Sequence, residues 1–210
     1  MNLKDFRNIP FRMRDLSSAF PDCVNLKTKT VRLVRDGDII RLKKGLFVLS
    51  PSTSNIELSP YILANHIYGP SYVSMQTALR YYGLIPEAVY SVQSMTTGKT
   101  QNYVNSEGYF GYTHVSPEYY RVGVAIKKEA GATFMIATPE KALCDLMVFT
   151  PNLNLRFQSS IREYLEDDIR FDMSELRNID LGIIEECALV SRKKTMLNQL
   201  IKFISHERSL

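Results

Sequence analysis

The sequence predicts a short helix followed directly by a β-hairpin, an order of elements that few folds share. The helix is predicted in NLKTKTVRLVRDG, between Asn25, a favoured N-terminal cap, and Gly37, a favoured residue just after a helix. Helical spacing places one stripe of residues on the same side: Leu26, Thr30, Leu33 and Val34. The next segment, DIIRLKKGLFVLS, contains two β-type runs, 38–42 and 46–50, joined by a three-residue turn that ends in glycine.

The order of these elements is that of a winged helix-turn-helix. A further short amphipathic helix is predicted in PFRMRDLSSAFPD, ending at Pro21, and a first helix is expected to be truncated or to lie within residues 2–9. In such domains one helix enters the DNA major groove, and the hairpin, or wing, approaches the phosphates. We therefore expect residues 1–50 to form a winged-helix DNA-binding domain.

The charge distribution favours the same interpretation. Residues 1–50 contain 11 Lys and Arg against 5 Asp and Glu, whereas the rest of the chain contains 15 against 17. A basic module on a neutral body is typical of nucleic-acid binding, although a solvated basic surface without a partner is the alternative. The candidate DNA-binding residues are Lys27, Thr28, Lys29, Arg32 and Arg35 in the helix, and Lys43 and Lys44 at the wing tip.

The remainder of the chain is predicted to be a second domain, residues 55–210. After the linker-like SPSTSNIE, helices are expected at 60–68, capped by Ser59, and at 75–82, capped by Ser74. Strands are expected at 90–97, 109–115, 121–126 and 133–138, and further helices at 155–167, 173–190 and 192–206. The predicted fold class is α+β: a winged helix-turn-helix, a mixed α/β central region (55–150) with antiparallel strands, and a helical C-terminal tail (151–210).

The segment IATPEKALCDLM (136–147) concentrates charged residues and raises the question of an active site. Thr138 is a natural helix cap, Pro139 suits the first helical position, and Glu140 complements the helix dipole. The predicted buried stripe consists of Ala142, Leu143, Leu146 and Met147. We therefore expect a helix start, with Glu140, Lys141 and Asp145 free to face a partner. A nuclease-like or kinase-like site would need a second acidic motif, which no preceding strand supplies.

Other residue patterns do not indicate a catalytic, metal or cofactor site. The three histidines lack metal-ligand spacing, and MTTGKTQ (95–101) lacks the first glycine of a phosphate-binding loop. The three cysteines form no CxxC pair and fit reduced thiols in the cytoplasm. The N-terminus lacks the apolar core of a signal peptide, and no apolar run is long enough to span a bilayer. We expect a cytoplasmic protein that is not an enzyme and has no cofactor.

Four segments in order resemble a known family: YVSMQTALRYYGLIPE (72–87), SVQSMTTGKT (91–100), YFGYTHVSPEYY (109–120) and IATPEKALCDLM. With the N-terminal pattern, they are similar to the antitoxin of the abortive-infection E system, a bacterial type IV toxin–antitoxin regulator. The resemblance covers residues 25–150 well and the tail loosely. The residues that match in the body are interpreted as architectural: Tyr72, Ser74, Ala78, Tyr82, Gly83, Thr97, Gly98, Thr138, Glu140, Lys141 and Asp145.

The resemblance implies a function in phage defence. A family member represses its own operon by binding operator DNA, and neutralises a nucleotidyltransferase-like toxin, with which direct contact is not implied. Lys27, Thr28, Lys29 and Arg32, with the two wing lysines, fall at positions that the resemblance favours for DNA contact, and the N-terminal domain is shorter than in many members. The alternatives are a stand-alone transcriptional regulator and a nuclease-related enzyme using Lys141 or Lys99.

Overall fold

The computed structural model describes residues 3–86 and 90–209, which contain two β-sheets with helices packed against them. The predicted domain limits at residues 1 and 210, and Glu87 of the first family-like segment, lie outside the described residues. The N-terminal elements are, in order, a 3₁₀ helix (Leu3–Phe6), β1 (Phe11–Arg12), a second 3₁₀ helix (Met13–Ser18), α1 (Leu26–Arg35), β2 (Ile39–Lys43) and β3 (Leu46–Leu49). β1 pairs with β3, so the N-terminal sheet has the strand order β1-β3-β2.

The residues predicted to mark the two ends of α1 have the expected roles. The side chain of Asn25 accepts a hydrogen bond from the Thr28 backbone N–H at 3.0 Å, which satisfies one of the free donors at the helix start. Gly37 adopts a φ of 78° just after the helix, a conformation that glycine tolerates without strain. Thr30 and Leu33 are the buried residues of this helix. The helix and hairpin predictions are therefore confirmed to within about two residues at each boundary.

The body is built on a six-stranded sheet of order β6-β7-β5-β4-β9-β8. Its elements are α2 (Pro51–Ser54), α3 (Pro60–Ile67), β4 (Ser71–Val73), α4 (Met75–Tyr81), β5 (Ser91–Thr96), β6 (Gln101–Asn105), β7 (Gly108–His114), α5 (Pro117–Tyr120), β8 (Val124–Glu129), β9 (Ala132–Ala137) and α6 (Pro139–Phe149). β4 runs parallel to β9 and β5 parallel to β7, whereas the other neighbours are antiparallel. The sheet is thus mixed, and the expectation of antiparallel strands holds for part of it.

The C-terminal region is helical. It contains α7 (Gln158–Glu163), which continues into a π-helical turn (Tyr164–Asp168), a 3₁₀ helix (Met173–Asn178), α8 (Leu181–Val190) and α9 (Lys194–Glu207). α6 packs between α4 and α8, which buries it on all sides. Along residues 3–86 and 90–209, no helix has both the length and the apolar character needed to cross a membrane.

The N-terminal sheet is shared between two hydrophobic cores. One core consists of Phe11, Leu16, Leu33, Ile39, Phe47 and Leu49. Three other hairpin residues, Leu42, Leu46 and Val48, belong instead to the large core of the body. Two hydrogen bonds reinforce this junction: Asn105 Nδ2 donates to the Leu42 carbonyl at 3.0 Å, and Asn8 Nδ2 donates to the Ala130 carbonyl at 3.4 Å. Strand β3 is therefore buried on both faces, and the hairpin packs on the body.

Several sequence predictions need correction. PFRMRDLSSAFPD does not form one helix. Its first residues form β1, which pairs with β3. The Arg12 backbone N–H then donates to the Asp15 carboxylate at 2.7 Å, and this hydrogen bond starts a 3₁₀ helix. Ser74 precedes α4 but does not cap it, since its hydroxyl donates to Asp145. The linker-like segment after residue 50 is the helical turn α2. The predicted helix 173–190 is divided at Asp180, whose carboxylate caps the start of α8.

Candidate nucleic-acid interface

One face of α1 is exposed and carries most of the predicted DNA-binding residues. Spacings of three and four residues place the following side chains next to one another on the helix surface: Lys27, Thr28, Val31, Arg32 and Arg35. All five residues are exposed to solvent, and the opposite side of the helix packs on the small N-terminal core. The first turn, which carries Lys27 and Thr28, is fixed by the Asn25 cap. The helix therefore presents a basic, rigidly held surface.

Lys29 lies away from this face. It is partly buried, and its ammonium group lies 4.6 Å from the centre of the Phe20 ring, a distance typical of a cation–π contact. Helical spacing predicted that Lys29 projects with Arg32 and Arg35 from the side opposite the apolar stripe. The structure places it at the side of the helix, next to the segment that precedes α1.

Asp36 pairs with both arginines at the end of α1. Its carboxylate lies 2.9 Å from Arg35 Nη2 and 3.5 Å from Arg32 Nε. The hydrogen bond from Arg35 and the charges of both arginines hold the pKa of the Asp36 carboxyl below its usual value. Since these groups are exposed, the pairs are weak and a phosphate can replace the carboxylate. Asp36 therefore competes with any anion that approaches this end of the helix.

The hairpin places its two lysines on different sides. Gly45 adopts a φ of 79° at the turn, and the adjacent Lys44 is exposed. Lys43 ends β2 after a register shift between Arg41 and Lys43, and its ammonium group donates a hydrogen bond to the Ile67 carbonyl of α3. The same ammonium lies 5.4 Å from the Tyr103 ring centre, and burial lowers its pKa. The prediction that Lys43 reaches phosphates from the wing tip is therefore corrected: its ammonium group faces the body.

A groove lies between α1 and the hairpin. Its volume is about 440 Å³, and its lining is almost wholly apolar. The lining residues are Met13, Lys27, Thr30, Val31, Val34, Arg41, Lys44, Gly45 and Phe47. Three of these residues, Lys27, Arg41 and Lys44, are exposed cations at its rim. The groove thus combines an apolar floor with a basic rim.

Sequence reasoning missed two contributors to this surface, Arg41 and Val31. The sequence does contain a signal for Arg41. It lies between two apolar residues of β2, Ile40 and Leu42, and the alternation of a strand directs its side chain to the opposite face from theirs. Val31 gave no such signal, since a valine inside a helix is usually assigned to the core.

The charged residues of IATPEKALCDLM form a different kind of site. Lys141 and Asp145 have no exposed surface, and Lys141 Nζ lies 3.2 Å from Asp145 Oδ1. Tyr72 and Ser74 donate to Asp145 Oδ2 at 3.0 and 2.6 Å. Lys141 Nζ donates to the Tyr119 carbonyl at 2.9 Å and lies 3.2 Å from the centre of the Tyr119 ring. These groups bind one another inside the core.

Other candidate catalytic side chains of the family-like segments lie in different environments. Lys99 is exposed in a loop beside His114, whereas Lys141 lies in the core, so the two lysines of the enzyme alternative are on separate parts of the molecule. Burial raises the pKa of the Cys144 thiol well above its usual value, which keeps it protonated. Glu140 is buried and accepts a hydrogen bond from the Asp180 backbone N–H at 3.0 Å. Among residues 3–86 and 90–209, no group of three His, Cys, Asp or Glu residues is arranged to hold a metal ion.

Comparison with solved structures gives a likeness in fold. No family model and no curated protein matches the chain. Among solved structures, the RV2827C protein from Mycobacterium tuberculosis is similar in fold, with a TM-score of 0.53 and 12% sequence identity. The match covers 98% of this chain and 78% of the mycobacterial chain. The likeness therefore extends over nearly all of the elements described above and concerns the fold alone.

Proposed function

We propose that the protein is a sequence-specific DNA-binding regulator in which α1 enters the major groove and the β2–β3 hairpin acts as a wing. The observation that carries the proposal is the exposed basic face of α1 beside a hairpin whose tip presents Lys44. The order of a 3₁₀ helix, β1, a 3₁₀ helix, α1 and the hairpin supports a compact winged helix with shortened first helices.

Position along α1 assigns different roles to its exposed residues. In major-groove docking the N-terminal part of the helix contacts base edges, which are the source of sequence preference. Lys27 and Thr28, in the first turn of α1, are the candidates for these contacts. Arg32 is a third candidate, because it follows Thr28 by four residues and lies on the same exposed face. Arg35, at the end of α1, and Lys44 and Arg41, on the hairpin, are placed to contact phosphates. Lys43 has no part in the interface, because it is bound to α3.

A mobility-shift assay tests the DNA-binding proposal. The DNA upstream of the gene that encodes this chain is the first probe, and a shuffled duplex of the same composition is the competitor. We expect a shift that survives an excess of the shuffled competitor at moderate salt. Loss of the shift as the shuffled competitor is added would contradict sequence-specific binding.

We further propose that the regulator is an antitoxin that represses its own operon and neutralises the adjacent nucleotidyltransferase-like toxin. This proposal is supported by the ordered family-like segments, three of which contribute to the buried Lys141 network. Co-expression with the adjacent gene tests it, with rescue of growth as the readout. The full chain is required, because the hairpin packs into the body. A variant with Lys27, Thr28 and Arg32 changed to Ala separates neutralisation from DNA binding.

A stand-alone regulator is the second candidate. It shares the DNA-binding surface and differs in gene context, since it needs no toxin gene beside it. An adjacent nucleotidyltransferase-like gene whose toxicity is relieved by this chain favours the antitoxin. Specific DNA binding without any such relief favours the stand-alone regulator.

A further inference from the structure

We propose that the groove beside α1 recognises thymine methyl groups of the operator and that Val31 is the residue that determines this preference. The inference rests on the proposed DNA-binding function. It goes beyond that function by naming the chemical group that is recognised and an apolar residue that recognises it.

The exposure of Val31 is the first observation. Its side chain is 64% exposed, although it lies in the middle of a helix whose other exposed residues are polar or charged. Lys27 and Arg35 lie one turn on either side of it. A solvated helix face favours lysine, glutamate or alanine, because a β-branched residue has a lower helix propensity and gains nothing from burial there. Folding therefore does not account for a valine at this position.

The groove continues the apolar surface of Val31. Met13 is 38% exposed, and Val34 and Phe47 complete the floor. The rim is formed by the cations Lys27, Arg41 and Lys44. Their positive charge complements the negative charge of DNA phosphates. An occupant that fits both parts has a polyanionic edge and an apolar projection.

DNA provides this combination in its major groove. Phosphates line the edges, and the C5-methyl group of thymine is the apolar group that the base edges present there. Val31 follows Lys27, a candidate for base-edge contacts, by one helical turn and lies on the same exposed face. Val31 is therefore placed to contact thymine methyl groups when the rim cations contact phosphates.

The expected effect follows from the size of one methyl group. Burying a group of this size is worth about a fourfold change in affinity. Two thymines in the groove would give roughly a fifteenfold change. An effect of this size is measurable by fluorescence anisotropy at fixed salt.

The experiment compares DNA that contains thymine with DNA that contains uracil, which lacks only the methyl group. The upstream duplex is prepared in both forms, and the full chain is titrated as wild type, as Val31→Ala and as Val104→Ala. Val104 is a matched control, since it is an exposed valine (75%) on β6 of the body. We expect the wild type and Val104→Ala to bind uracil DNA at least about fourfold more weakly than thymine DNA, and Val31→Ala to lose most of this difference.

Each outcome decides the inference. Equal binding of thymine and uracil DNA by the wild type, with specific binding retained, overturns the inference and leaves the proposed function intact. The same thymine preference in Val31→Ala also overturns it. An absence of specific binding to either duplex contradicts the proposed function itself. A change in native mass for Val31→Ala would show that the groove holds a second copy of the chain, which also overturns the inference.

Discussion

The ammonium group of Lys141 lies 3.2 Å from the carboxylate of Asp145, and both side chains are fully buried within α6. Tyr72, in β4, and Ser74, directly after β4, donate to the same carboxylate, and the Tyr119 carbonyl accepts from the ammonium. Three of the four segments that resemble the antitoxin family thus meet at one ion pair. This arrangement gives the charged residues of IATPEKALCDLM a role in holding the body together.

Replacing Asp145 should be strongly destabilising. Asp145→Asn keeps acceptor capacity for Tyr72 and Ser74 but leaves the Lys141 charge unpaired in the core. Removing one partner of a buried ion pair costs about 3–5 kcal/mol, because the remaining charge is desolvated without compensation. We expect the free energy of unfolding in urea to fall by about that amount.

An exposed pair provides the control for this measurement. Arg162 and Glu166 have the same spacing of four residues, with Nη1 2.8 Å from Oε1, but their side chains are 43% and 39% exposed. Glu166→Gln should change the free energy of unfolding by less than about 1 kcal/mol. A similar loss for Asp145→Asn and Glu166→Gln would contradict the assignment of a structural role to the buried pair.

The buried tyrosines should make stability decrease at alkaline pH. Burial raises the pKa of Tyr164 to about 12, so the folded state keeps a proton that the unfolded state loses near pH 10. The stabilisation is complete below the unfolded pKa and is lost as the pH rises through the folded pKa. Between these values, Tyr164→Phe should reduce the pH dependence of the unfolding free energy by about 1.4 kcal/mol per pH unit. Urea titrations over this range measure the slope, and an unchanged slope would contradict the prediction.

Substitutions of the two hairpin lysines should have different effects, one on DNA binding and the other on stability. Lys44→Ala should lower the salt dependence of binding by about 0.9 in the logarithmic slope, with little effect on unfolding, because Lys44 contacts one phosphate in the proposed complex. Lys43→Ala should leave that slope unchanged and lower the free energy of unfolding by about 1–2 kcal/mol, because the Ile67 carbonyl loses its donor. Salt titrations of binding and urea unfolding of both variants measure these effects. Equal salt-dependence slopes for the two variants would contradict the finding that the Lys43 ammonium group faces the body.

Removing the charge of Asp36 should strengthen DNA binding. Asp36→Asn frees Arg32 and Arg35 from their carboxylate partner and removes a negative charge beside the proposed DNA-binding face. We expect affinity to rise by roughly two- to fivefold at low salt and the gain to shrink as salt is added. Asp167→Asn makes the same change in net charge in the exposed π-helical turn of the tail. An equal gain in Asp167→Asn would show that net charge alone is responsible.

The sequence predicted well those elements whose boundaries are determined by local chemistry. Asn25 and Gly37 mark the ends of α1, and Thr138 and Pro139 mark the start of α6, as expected from their capping roles. In contrast, β4 has only three residues, and the β6 run QNYVN lacks a regular apolar alternation. Short or polar strands of this kind are specified by their neighbours in the sheet.

The environment of individual side chains was the least predictable feature. Lys43 differs from Lys44 because a register shift in β2 turns its side chain towards α3. Lys141 and Asp145 are charged, so the pattern of α6 predicted an exposed side, but packing between α4 and α8 buries the helix on all faces. Lys141 and Asp145, four residues apart, compensate each other's charge. Neither effect is visible without the tertiary contacts that create it.

The ratio of affinities for upstream and shuffled DNA measures directly whether α1 reads a DNA sequence. Fluorescence anisotropy at one fixed salt concentration gives both dissociation constants for the wild type and for the variant with Lys27, Thr28 and Arg32 changed to Ala. We expect the wild type to prefer the upstream DNA by at least about a thousandfold, and the variant to lose most of this preference while it retains weak binding to both duplexes. A wild-type ratio close to one would contradict the assignment of α1 as a DNA-reading helix.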